Sequence, residues 1–296
     1  ANPLPRYAAR LASALSMEEI HQVVNGGIKA GNVGFPVNLK EGLVILARAD
    51  LSLEKEAAWK LWGAAGVHSD LLSFQFGEAI IALVGKIKLA EQPLYLVNVH
   101  LAAAPRIPDD AESFRKTLPA DVEMDEAEFN SALKVWQRRD RRRKVEVEDL
   151  LRRIEKLPPG VPVIVGGDFN AAPQSPEMVL FAGKSPLVDV LATGDVSRTP
   201  ASFTWDTTLN GNTAFTVKIR DARGRVREGF DLLAALASNY RCRLDYIFLS
   251  EELAQAGILD RRIVLKESVL GVQASDHFAV MVEIKVNGLQ AGGSSD

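Results

Sequence analysis

Four short segments of the sequence end or open apolar runs on residues able to hold a metal ion or move a proton. VNVHL (97–101) follows PLYL, GGDFN (166–170) follows VPVIV, RLDYIFL (243–249) carries an acid inside a strand-like run, and SDHF (275–278) opens FAVMVEI. They lie far apart in the chain, so none is a site alone. Gathered at one end of a β core, they would bring together His100, Asp168, Asn170, Asp245, Asp276 and His277. Acid, amide and imidazole groups in such a set suit metal-assisted attack of water on a phosphate.

On a strand continued past the glycines, residues two apart point the same way, so Asp168 and Asn170 would face one site. The carboxylate would orient a water and the amide would hold a phosphate oxygen. The competing reading is an Asx turn, with Asn170 capping a helix that follows. Asp245 stands among Leu244, Tyr246, Ile247 and Phe248, where a carboxylate is costly unless paired. An imidazolium is its least costly partner. His100 ends one strand, and Glu78 of FGEAII (76–81) begins the strand expected beside it. Together they could form a carboxylate–imidazole unit with a fixed tautomer; the plainer reading of Glu78 is a surface residue at a strand start. Asn98, two before His100, would share its face. The basic run RRDRRRK (138–144) spreads around a helix and reads as solvated surface. Arg138 or Arg142 would grip a phosphate only if turned toward the site.

Periodicity supplies the elements that must position these groups. Residues 3–17 read as a helix with Leu4, Ala8, Leu11 and Leu15 on one face and prolines in its first turn. NGGIKAGNVGFP (25–36) reads as loop. Strands are expected at 43–48, 78–89 and 93–101, the last two as an antiparallel pair. After a polar excursion over 102–123, residues 125–157 show helical spacing, with Val147, Leu150, Leu151 and Ile154 on one face and LPPG (157–160) as the stop. A strand at 161–169, a short helix at 176–181, a functional loop over 194–230 and a short helix at 231–237 follow. Strands at 244–250, 262–267 and 278–286 close the pattern.

The chain has 296 residues, 47% of them hydrophobic and 25% charged, which is ordinary for a globular protein. A net charge of −3 argues against indiscriminate nucleic-acid binding through bulk charge. The single cysteine, Cys242, excludes an internal disulfide and fits a reducing compartment, though bacterial secreted proteins share that trait. No apolar run reaches the ~18 residues that span a bilayer. The first residues lack a charged and apolar leader, so no retained signal peptide is expected. The start at Ala1 points to trimming or to a processed or truncated product.

In this order, the segments resemble the endonuclease/exonuclease/phosphatase superfamily, the group of deoxyribonucleases, apurinic endonucleases, deadenylases, inositol polyphosphate phosphatases and neutral sphingomyelinases. The resemblance runs from about residue 1 to 286. It implies an α/β fold, a two-sheet β-sandwich flanked by helices in deoxyribonuclease-like α/β/β/α layers. One domain over 1–286 and a disordered tail over 287–296 are expected. It also implies that Asp245 and His277 form a dyad, that Asp276 binds metal with Asp168 and Asn170, and that His100 with Glu78 assists the leaving oxygen. Trp205 and Asp206 resemble the aromatic-plus-acid segment that many members place beside the site. The implied cofactor is Mg2+ or Mn2+. The implied partner is a phosphate-containing substrate: nucleic acid, a phospholipid headgroup or a small phosphodiester.

The family pattern opens with two strands that this sequence does not show, one ending in an Asn and the other in a Gln-Glu pair that carries the main metal carboxylate. A helix resembling NPLPRYAARLASAL follows that pair in relatives. Three expectations follow: a fragment, a companion polypeptide that supplies the strands, or a member that has lost its metal carboxylate. The function expected is metal-dependent hydrolysis of a phosphoester or phosphodiester. The alternative is a non-catalytic member or chain fragment that binds a phosphate ligand or a protein.

Overall fold

The computed structural model describes residues 3–30, 33–64, 66–68, 73–75, 79–89, 92–103, 112, 115–116, 125–192, 203–206, 208–212 and 241–286. Its central element is a six-stranded sheet in the order β3 (Glu54–Gly63), β6 (Ala79–Leu89), β7 (Gln92–His100), β8 (Val163–Asp168), β12 (Asp245–Ser250), β9 (Leu187–Asp189). β6 and β7 pair antiparallel, as expected, and β7 and β8 run parallel. The parallel pair requires a crossover, and α2 (Glu126–Ile154) lies within it.

Alternation along the strands sorts side chains to two faces. Val97, Val99, Val163, Val165, Tyr246 and Phe248 pack against α2 and α3 (Pro176–Lys184), which contribute Val147, Leu150, Leu151, Met178 and Phe181. Phe169 sits in that core with no exposed surface and meets Phe181, Tyr246 and Phe248 edge-on, with centroids 5.3–5.4 Å apart. Two short pairs, β4 (Gly66–His68) with β5 (Ser73–Gln75) and β10 (Trp205–Asp206) with β11 (Arg241–Cys242), stand apart from the six-stranded sheet, and its other face carries two longer hairpins. β1 (Met17–Ala30) with β2 (Val33–Arg48) lies over β6 and β7, and β13 (Ile258–Val264) with β14 (Ala279–Ile284) lies beside β12. α1 (Pro3–Leu15) packs on β1 and β2, and the short α4 (Glu251–Ala256) links β12 to the β13–β14 hairpin. Helices, sheet, paired strands and helix therefore stack in the expected four layers. The second layer is divided between the two hairpins among the described residues.

Between those hairpins, β2 and β14 each have one edge without a strand partner among the described residues. They flank a cleft of about 400 Å3, lined by Val44 and Ile45 on one side and Ala279 and Val280 on the other. Its floor is Leu96, Val97, Ile164 and Ile247 of the six-stranded sheet, with Asn98 and Asp245 at one end.

Two local expectations need correction. The described residues of the glycine-rich 25–36 stretch do not form a simple loop: 25–30 belong to β1 and 33–36 to β2, whose register shifts between Val23 and Asn25 and again between Gly26 and Ile28. Bulges tolerate glycine and an extra residue without ending a strand. In α1 it is Ala8 and Ala12 that are buried, while Leu11 and Leu15 are about half exposed (50% and 54%). Small residues one turn apart let the helix approach its hairpin closely. The segments 194–202, 213–240 and 287–296, and most of 102–123, lie outside the described residues.

One glycine is required by geometry. Gly167 has φ +134°, and a Cβ there would meet the Val99 carbonyl oxygen at 2.0 Å and its nitrogen at 2.9 Å. Gly167→Ala is expected to destabilise by at least about 1–3 kcal/mol from the backbone conformation alone. Urea unfolding checks this; an unchanged midpoint would mean that β7 and β8 are less closely apposed at this point.

Candidate active site

Register brings the site residues together. β7 and β8 pair with His100 opposite Asp168, and β8 and β12 pair with Asp168 opposite Asp245. Their neighbours Val99, Phe169 and Tyr246 all belong to the helix-side core. By alternation, His100, Asp168 and Asp245 share the opposite face, side by side on adjacent strands. The second layer then delivers His277, just before β14.

The geometry is close. His277 Nδ1 lies 2.8 Å from Asp245 Oδ2, and its Nε2 lies 3.9 Å from Asp168 Oδ2. His100 Nε2 reaches the same Asp168 oxygen at 3.4 Å. The Asp168 carboxylate thus stands between two imidazoles. Its Oδ1 accepts the Asn170 backbone N–H at 2.7 Å, and Asn170 Nδ2 donates to the Leu101 carbonyl at 2.9 Å. The Asx turn is therefore present, whereas the continued strand is not: β8 ends at Asp168, and Asn170, at φ +51°, turns its amide to the Leu101 carbonyl instead of lining up beside the Asp168 carboxylate. Asn170 caps no helix, because α3 starts at Pro176 behind Ser175.

Burial and charge tune the groups. Desolvation raises the Asp168 carboxyl to about 6; the nearby Asp245 charge adds to this, and the two histidines oppose it. Burial works against a charge on His277, but its hydrogen bond to Asp245 and that carboxylate's charge outweigh the penalty and carry it to about 9. At neutral pH His277 is therefore an imidazolium with one N–H committed to Asp245.

The FTWD segment positions this histidine. Thr204, fully buried, accepts the Leu244 and Asp245 backbone N–H groups on its hydroxyl at 2.9 and 3.1 Å. Its carbonyl accepts the Phe278 N–H at 2.7 Å, and the edge of Trp205 meets the His277 ring at 4.8 Å. Asp206 closes the turn that follows, accepting from Thr208 and Leu209, and Asn210 Nδ2 donates to the Ser275 carbonyl at 2.9 Å. Thr204 and Asn210 carry no sequence signal of their own, since their partners lie tens of residues away.

Of the residues expected at the site, His100, Asp168, Asp245 and His277 converge, and Asn170 joins them through its backbone N–H. Asp276 stands beside His277 with its carboxylate 3.2 Å from the Ser275 hydroxyl. It is not part of the Asp168, Asp245 and His277 group, whose ligating atoms lie within 4.8 Å of one another. Glu78 lies outside the described residues. Asn98 turns to the second layer and donates to the Val44 carbonyl at 3.0 Å. Arg142 binds Glu146 rather than the site, through Nε at 2.7 Å, and Arg138 is exposed.

The family model for the endonuclease/exonuclease/phosphatase family matches residues 12–277, a span that contains every one of these groups. This chain belongs to that family. Comparison with curated protein sequences gives no match. Among solved structures, endonuclease/exonuclease/phosphatase relatives share the fold at low identity. The chain is similar to a humanized D. rerio TDP2 carrying 14 mutations, with a TM-score of 0.50 at 16% identity over 95% of this chain and 82% of that one. It is equally similar to D. rerio TDP2 complexed with a single-strand DNA product, at TM-score 0.50 and 17% identity over 94% and 81%. TDP2 from Caenorhabditis elegans gives 0.51 at 14% identity over 93% and 60%. No helix among the described residues of this family member is long and apolar enough to cross a membrane.

Proposed function

We propose that this protein is a hydrolase that cleaves a phosphoester or phosphodiester bond with help from Mg2+ or Mn2+. The observation that carries the reading is the alignment of His100, Asp168 and Asp245 on three adjacent strands under His277. The donor set fits the implied metal. Asp168 and Asp245 offer hard carboxylate oxygens, which Mg2+ and Mn2+ prefer. Burial, with the neighbouring Asp245 charge, raises the Asp168 carboxyl, so a cation placed beside the two carboxylates would be favoured there. Asn170 and Asp276, adjoining, complete the set proposed to hold it. The cation, when bound, supplies charge neutralisation on the phosphoryl oxygens and polarises the phosphorus for attack.

The protein's own groups carry the rest. Asp168 orients the attacking water. His277, kept protonated by Asp245, presents a cationic N–H to a phosphoryl oxygen or gives a proton to the leaving oxygen. His100, the most exposed of these groups with 61% of its side chain open to solvent, meets substrate from the mouth of the site; Glu78 is proposed as its partner. Trp205 forms a wall beside His277.

Hydrolysis of bis(4-nitrophenyl) phosphate by the full-length protein tests the proposal. Turnover in Mg2+ or Mn2+ should fall at least ~10²-fold in excess EDTA, as expected when charge neutralisation worth several kcal/mol is withdrawn. Readdition of metal should restore it. Hydrolysis indifferent to EDTA would overturn the metal dependence. Absence of hydrolysis with either metal would overturn the enzyme reading in favour of a phosphate-binding module.

A further inference from the structure

The basic run on α2 reads from sequence as solvated surface, yet Arg143 is 1% exposed and Glu146 is fully buried. Arg143 Nη1 donates to the Asn170 carbonyl at 2.7 Å. The rest of its guanidinium pairs with Glu177 of α3, itself 1% exposed. One turn along α2, Glu146 accepts the Ala102 backbone N–H at 2.9 Å and Arg142 Nε at 2.7 Å. α2 thus grips both segments that leave the site strands: Asn170, two residues past Asp168, and Ala102, two residues past His100. The Asn170 side chain joins them by donating to the Leu101 carbonyl.

Stability alone is a poor account of these buried charges. Desolvating an ion pair often cancels its attraction, and apolar replacements of similar volume are commonly neutral or stabilising. What such a pair does supply is direction. Asn170 has φ +51°, an uncommon conformation for a residue other than glycine, and its peptide groups are held at both ends. Its N–H bonds to Asp168 Oδ1, so the turn fixes the rotation of that carboxylate, while its C=O is fixed by Arg143. A planar guanidinium with several donors can hold Glu177 and a carbonyl at once, which an ammonium cannot do in the same geometry.

We propose that Arg143, locked by Glu177, is a positioning residue: through the Asn170 carbonyl it sets the Asp168–Asn170 turn and so aims the Asp168 carboxylate. Glu146 does the same for the segment after His100, through Ala102. The catalytic half of this proposal rests on the phosphoesterase reading; the positioning half does not.

The test is a pair of variants. Arg143→Lys keeps the charge and loses the fork. Arg143→Met combined with Glu177→Leu removes both charges and keeps the packing volume. The double variant should melt within a few degrees of the wild type, yet its kcat should fall ~10- to 100-fold with KM little changed, the loss expected when a reacting group shifts by about 1 Å. Arg143→Lys should show the same fall in kcat. Amide hydrogen exchange gives a readout independent of turnover: the Asn170 N–H should exchange at least ~10-fold faster in the double variant, while the β7 and β8 core amides keep their protection. If Asn170 exchange is unchanged, or if kcat returns with the melting temperature in the double variant, Arg143 is only structural and the proposal fails. A wild-type protein without phosphoesterase activity would defeat the functional reading, and Asn170 exchange would still decide the positioning one. Should either variant fail to fold, Glu177→Gln offers the same exchange comparison.

Discussion

His277→Ala is expected to lower turnover by at least ~10²-fold, the lower range for loss of a general acid or base. The imidazolium sits 2.8 Å from Asp245 and faces Asp168. Removing it takes away a cationic donor at the site, because the hydrogen bond and charge of Asp245 carry its pKa to about 9. The fold should survive, since the residue lies between strands and the next residue, Phe278, provides the local anchor at 2% exposure. Asp245→Asn should follow the same loss, because an amide neither charges the ring nor dictates its tautomer. Steady-state kinetics and thermal melts on the two variants check this. Near-wild-type turnover in His277→Ala would remove the dyad from the mechanism.

Asp168→Asn should have the largest effect on turnover, about 10²–10³-fold, as expected for a preorganised electrostatic group lost at the reacting centre. Its effect on stability should run the other way. The carboxylate is buried beside Asp245, and that desolvation and repulsion push its pKa up. An uncharged isostere relieves both while keeping the bond from the Asn170 N–H to its Oδ1. The melting temperature in metal-free buffer should hold or rise. A lower melting temperature would show that Asp168 serves the fold, and unchanged turnover would place the reacting centre elsewhere.

Much of this was legible in the sequence because short-range rules suffice for it. Apolar alternation before VNVH, GGDFN and LDYIF identifies strands, and strand ends are where a polar residue can reach solvent. That Asp245 needs an imidazolium-like partner follows from the cost of a carboxylate in an apolar strand, and the family resemblance points to His277 as that partner. Three features were hidden, each for a physical reason. The β1–β2 hairpin runs through glycines that bulges absorb, so composition reads there as loop. Arg143 looks in sequence like the exposed Arg138, Arg141 and Lys144 of the same run, although Glu146, Val147, Leu150 and Leu151 continue its side of the helix inward. Thr204 and Asn210 act through backbone partners at 244–245 and 275, a contact no local pattern encodes.

The most direct measurement of the central claim is anomalous X-ray scattering from a crystal of the full-length protein soaked in Mn2+. The account predicts a peak within coordination distance, about 2.0–2.6 Å for hard cations, of the Asp168 and Asp245 carboxylate oxygens. The peak should be lost in Asp168→Asn. A peak elsewhere on the protein, or none at Mn2+ concentrations that support turnover, would contradict a metal-dependent phosphoesterase centre at these strand ends.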